Sequence, residues 1–226
     1  MADFQKRAAG IGALADPLRR DLYLYVCAQD HSVSSDEAAA GLDLPLHKAK
    51  FHLNRLAGEG LLDVEFARLT GRSGPGAGRP SKLFRRAARE IAVSLPEREY
   101  ELAGRLMAEA IAASADDGTR VLDALGRVAA EHGRTLARGA DVAETTSALQ
   151  RACAALAEHG YEPRIEADGA TLTNCPFHAL AESHTDLVCR MNLALVDALV
   201  EEIGDVDARL DPAEGRCCVT LAQRTR

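Results

Sequence analysis

The chain has 226 residues, of which 47% are apolar, 27% charged and 4% aromatic, with no Trp. That length suits two compact units, with cores built mainly from Ala, Leu and Val. No run of about 18 apolar residues exists, which excludes a transmembrane helix, and no apolar stretch with a cleavage site follows Lys6 and Arg7 as a secretory signal requires.

A cytoplasmic protein with no membrane partner is therefore expected. In that compartment its six cysteines stay reduced, so metal binding or redox chemistry is favoured over structural disulfides. The net charge of −7 is unevenly placed. Residues 1–86 hold 13 Lys and Arg against 10 Asp and Glu, whereas residues 87–226 hold 14 against 24. A mildly basic head on an acidic body fits phosphate contact through the head alone.

In that head, Asp16-Pro17 opens a helix, Asp as cap and Pro at the first position. Leu18, Leu22, Tyr25 and Val26 recur on one face, and His31 to Val33 breaks the pattern. Ser34 and Glu37, at capping-box spacing, open a short helix that ends at Gly41. Leu42 to Pro45 is a tight connection, and a third helix is expected from Leu46 to Gly58. Helix, short helix, turn and helix are the order of a helix-turn-helix.

The third helix separates its faces. Ala49, Leu53 and Leu56 suit the inside; His47, Lys48, Lys50, His52, Asn54 and Arg55 supply donors for phosphates and base edges. Alternating apolar residues from Leu62, a Gly/Pro-rich basic loop over 70–82 and a short strand at Leu83-Phe84 read as a wing carrying Arg72, Arg79 and Lys82. The compact Gly78-Arg79-Pro80 would suit a minor groove. The plainer reading of each feature is a solvated basic loop or helix face; their order together points to double-stranded DNA.

Residues 14–86 thereby resemble the winged helix-turn-helix of ArsR/MarR-type transcriptional regulators. The run Gly78-Arg79-Pro80-Ser81-Lys82-Leu83-Phe84 is similar to the wing of their SufR-like branch, in which helices that dimerise follow the wing.

Pro96-Glu97-Arg98 starts a helix with the apolar stripe Tyr100, Leu102, Leu106, Met107, Ala110 and Ile111, which Asp116-Asp117-Gly118 ends. A second stripe is Val121, Leu122, Leu125, Val128 and Ala129, ending near Gly139. Between a DNA head and a sensor, two such helices suit a homodimer interface, since helix-turn-helix proteins bind paired half-sites. They could equally pack on their own chain.

Beyond them a helix is expected from Thr145 to His159, then a hairpin over 161–173, a helix from about Asp186 to Ile203 with Cys189 in its first turn, and strands over 207–211 and 216–221. The expected fold is mainly α with α+β parts: a winged helix-turn-helix at 1–86, a helical dimerisation region at 87–140 and a small α+β sensor domain at 141–226.

Four cysteines fall in the last region, at strand ends and a helix start. Thiolates bind iron–sulfur clusters and zinc strongly, and His178, at Cys-x-x-His spacing from Cys175, could complete either set. Cys217 and Cys218 would point to opposite faces of a regular strand, leaving one of them for the centre. Cys27 and Cys153 sit in apolar helical patterns and read as core residues.

SufR-like repressors carry three cysteines at similar wide spacings that hold an iron–sulfur cluster governing DNA binding, and Cys175, Cys189 and Cys217 match them. The resemblance thus implies an iron–sulfur cluster, [4Fe-4S] or [2Fe-2S], in a redox-sensing regulator. Zinc, or a metal-free thiol switch that includes Cys218, remains open from the residues themselves. No P-loop, nucleophile elbow or HExxH occurs, so no enzyme activity is expected.

Overall fold

A computed structural model describes residues 2–67, 80–140 and 147–224. They divide into two compact units, 1–93 and 94–226, each with its own apolar core.

The first unit contains α1 (Ala2–Ala13), α2 (Pro17–Cys27), β1 (Val33–Ser34), α3 (Ser35–Gly41), α4 (Leu46–Gly58), β2 (Leu62–Ala67) and β3 (Ser81–Arg86). Its helix starts follow the local chemistry. Asp16 Oδ1 accepts from the Arg19 N–H at 2.9 Å, with Pro17 as the first helical residue. Ser34 Oγ accepts from the Glu37 N–H at 3.1 Å. Glu37 directs its carboxylate to His31 Nε2, at 2.7 Å, rather than back to the cap. The antiparallel sheet runs β1-β3-β2, with Ser34 opposite Leu83 and Val64 opposite Phe84. Leu22, Val26, Leu53, Leu56 and Phe84 fill the core beneath it. Two features were not expected. α1 precedes the first expected helix, and the segment read as a break supplies β1, which pairs with the second wing strand.

The second unit contains α5 (Tyr100–Asp117), α6 (Val121–Gly139), α7 (Ala148–Ala157), β4 (Pro163–Ile165), β5 (Gly169–Leu172), α8 (His178–Ser183), α9 (Thr185–Ile203), β6 (Val206–Leu210) and β7 (Val219–Gln223). The strands form an antiparallel sheet in the order β4-β5-β7-β6. Gly118 closes α5 in the left-handed region, at φ +71°, and its N–H bonds the Ser114 carbonyl. Here the architecture departs from the expected three-part division. α5 and α6 share one continuous core with α7, α9 and the sheet. Buried Ala124, Leu125, Ala129 and Gly133 turn α6 onto its own unit, and at Gly133 the carbonyl of Leu195 comes so close that a Cβ would stand 2.0 Å from it.

Two further differences bear on the cysteines. The short helix α8 follows Cys175-Pro176-Phe177, and the last strand begins at Val219 rather than Arg216. Cys217 and Cys218 therefore lie in irregular chain, where the alternation of a regular strand does not govern their directions.

Candidate DNA interface and cysteine centre

α4 separates its faces as its sequence requires. Ala49, Leu53 and Leu56 are buried, His52 is half-buried, and His47, Lys48, Lys50, Asn54 and Arg55 are exposed. Arg55 pairs with Glu59 one turn on, at 2.7 Å. Asn54 is held at both ends of its amide. Its Nδ2 donates to the Lys50 carbonyl at 2.7 Å, and its Oδ1 accepts from Lys82 Nζ at 2.5 Å. The Lys82 ammonium also stands 5.2 Å from the Phe84 ring centroid, a cation–π distance. Lys82 thus braces the second wing strand against α4. Arg72 and Arg79 lie outside the described residues.

One residue of this face escaped the sequence reading. Phe51 is 66% exposed, with its ring edge-on to His52 at 5.1 Å. The available signal was its place off the Ala49, Leu53, Leu56 stripe, where an apolar residue has no core to face.

In the second unit, loops carry the thiols to one place. Past β5, Asn174 is buried and its Nδ2 donates to the Gly160 and Glu97 carbonyls. Arg98 donates to the Asn174 side chain and, at 2.9 Å, to the Cys175 carbonyl. The same carbonyl accepts from the His178 N–H, closing the turn into α8. Cys217 is latched beside this turn, because its N–H bonds the Leu172 carbonyl at 2.8 Å. Cys189 is the fifth residue of α9.

Cys175, Cys189, Cys217 and Cys218 are all buried and free. Cys175 and Cys218 each interact with Cys217, and Cys218 with Cys189. Cys217 sits at the centre of the chain. Interactions with Cys175, Cys218, the Val219 N–H and Asn192 stabilise its thiolate and pull its pKa down to about 3, far below that of a free thiol, against the effect of burial. Cys175 and Cys218, each bonded to Cys217 and buried, are pushed up. Asn192, fully buried, donates to Cys217 Sγ at 3.2 Å and accepts from the Tyr161 hydroxyl at 2.5 Å. Neither residue was singled out in the sequence; a buried amide on an otherwise apolar helix face was the signal.

The regular strand expected to leave only one of Cys217 and Cys218 for the centre does not form here, and Cys218 is buried beside Cys217 and Cys189. His178 is not buried with them. Its side chain is 56% exposed, and its Nε2 lies 3.3 Å from Glu182 Oε1. It lines, with Cys175, Arg98 and Arg216, a cleft of about 480 Å³. Cys153 is core as expected, with burial pushing its thiol up to about 11, whereas Cys27 ends α2 half-buried.

Among the described residues, no three His, Cys, Asp or Glu side chains stand ready-made around a single ion. The thiols form a chain of contacts rather than a shell. The donor set itself fits a soft centre: four sulfurs in an apolar setting, with N–H groups of Val219, Phe177 and Asn192 directed at two of them.

Residues 14–65 match the family model of a helix-turn-helix domain, a span covering α2, α3, α4 and the start of β2. That match supports a winged helix-turn-helix regulator of the ArsR/MarR-like kind and, with it, DNA-binding transcriptional regulation. No curated protein and no solved structure matches the chain. No helix among the described residues is long and apolar enough to cross a membrane.

Proposed function

We propose that the chain is a homodimeric, cytoplasmic transcriptional regulator of the SufR-like kind. Its first unit binds operator DNA through α4 and the wing, and its second unit senses redox or iron–sulfur status through a cluster held by Cys175, Cys189 and Cys217. The observation that carries the DNA reading is the matched helix-turn-helix with a cationic outer face on α4. The gathering of four thiols from a hairpin exit, a helix and the approach to β7 supports the sensor reading. The geometry favours Cys218 over His178 as fourth ligand. When bound, a cluster supplies electron transfer and sensitivity to oxidant. It can change operator affinity only to the extent that it binds one arrangement of the protein better than another. Exposed Ile111, Val121 and Leu122 on α5 and α6 support a self-association surface.

The test is anaerobic purification followed by a visible spectrum with iron, sulfide and zinc analysis. A brown protein with iron and sulfide, bleached in Cys189→Ser, is expected. A colourless protein with stoichiometric zinc would assign the thiols a structural role. The interactions of Cys175 with Cys217 and of Cys218 with Cys189 favour one second reading, a metal-free switch. There two thiols give their electrons and protons to a peroxide, forming one disulfide and water. A colourless, zinc-free protein that loses two hydrogens per disulfide, by mass spectrometry after peroxide treatment, would establish it.

A further inference from the structure

Phe51 and Phe66 are the two most exposed large apolar side chains described in the first unit, at 66% and 68%. They flank the brace between α4 and the wing. Phe51 precedes Asn54 by three residues and Arg55 by four, so it neighbours both on the helix surface. Phe66 is the register partner of Lys82, and cross-strand partners share a face. Lys82 in turn reaches Asn54. An apolar and cationic strip therefore runs Phe51, Asn54, Lys82, Phe66, with Lys48 one turn before Phe51 and Lys50 one turn before Asn54.

A phenylalanine left in water on a helix whose inner stripe is complete has no role in the core. Its neighbours state what covers it. Lys48, Lys50, Lys82 and Arg55 surround the strip, and among the described residues only Arg55 of these four is paired with a carboxylate, Glu59. A polyanion fits that surface. In the major groove the apolar group within reach of such a side chain is the thymine 5-methyl. Asn54, by contrast, has both ends of its amide engaged by Lys50 and Lys82, which leaves it to position the wing strand.

We infer that Phe51 is a specificity-determining residue that reads thymine through its 5-methyl group, with Asn54 acting as the positioning residue between helix and wing. The inference rests on the DNA-binding reading above and adds the chemistry it recognises.

The full-length protein would be used to enrich duplexes from a random library, in parallel with Phe51→Ala and Phe51→Met. Each thymine of the native consensus would then be replaced singly by deoxyuridine, which removes only the methyl. The native protein is expected to bind about fourfold more weakly at one or two positions, the worth of one buried methyl. Phe51→Met, still apolar and long, should keep that penalty. Phe51→Ala should lose it and relax its consensus there, while melting with the native protein. The inference is overturned if Phe51→Ala keeps both consensus and penalty, or if no deoxyuridine weakens native binding. A native protein that enriches no sequence overturns the DNA-binding reading itself, a result distinct from an enriched consensus indifferent to residue 51.

Discussion

Asn192 has no exposed surface and ties the Tyr161 hydroxyl to the Cys217 sulfur. Asn192→Ala leaves that buried hydroxyl without an acceptor and should cost about 2–3 kcal/mol. Tyr161→Phe, which removes the hydroxyl as well as its need, should cost about 1 kcal/mol. In urea unfolding the double variant should lose clearly less than the sum of the two; strict additivity would show that the pair is not coupled. On the surface of the first unit, His31 lies 3.0 Å from Asp30 and 2.7 Å from Glu37, and the Asp30 bond, then Glu37, raise its pKa. A His raised on folding contributes most below its unfolded value of about 6.5, and the contribution disappears as pH climbs through the raised folded value. An NMR titration should place the His31 midpoint above the ordinary range, and Glu37→Gln should bring it back down. At this scale the sequence showed which residues could do chemistry but not how they face. Cys175, Cys189 and Cys217 are all buried in the core of the second unit. His178 is not, because the turn that brings its N–H to the Cys175 carbonyl leaves its ring outside with Glu182.

Elements were more legible than their destinations. α4 occupies the expected Leu46–Gly58, because its apolar stripe and Gly58-Glu59-Gly60 mark it locally. α7 begins after Ser147, whose hydroxyl accepts from the Gln150 N–H at 3.2 Å while Gln150 Oε1 accepts from the Ser147 N–H at 3.0 Å. Ser147→Ala should therefore cost about 1 kcal/mol of stability in urea. The stripe of α6 was readable in part: Leu125 and Ala129 are buried, whereas Val121 and Leu122 stay exposed. Periodicity does not report what buries a face; here α9 packs on it, through the close approach at Gly133. Gly133→Ala would drive a methyl into the Leu195 backbone, 2.0 Å from its carbonyl oxygen, and should cost about 3 kcal/mol. A native-like denaturation midpoint in that variant would mean that α6 and α9 do not cross this closely. The late start of β7 was not legible, since it follows a hydrogen bond between segments far apart in sequence, Cys217 to Leu172.

Across the whole molecule, the division falls near residue 93, and each unit has a separate core. Produced alone, 94–226 should keep the circular dichroism of its helices and unfold cooperatively in urea, and a disordered fragment would contradict a self-contained core. Self-association is testable by sedimentation. Ile111→Glu places a charge on an exposed apolar position of α5 and should convert a dimer to monomers without lowering the unfolding midpoint. The scattered origin of the thiols has a consequence in time. Thirteen residues separate Cys175 from Cys189 and 27 separate Cys189 from Cys217, so an unfolded chain offers a soft metal only the adjacent pair Cys217 and Cys218. The remaining sulfurs come within reach only after the hairpin, α9 and the approach to β7 have closed on one another. On the proposed cluster reading, folding would precede loading, and a loaded centre would certify that the chain around it had already been assembled correctly.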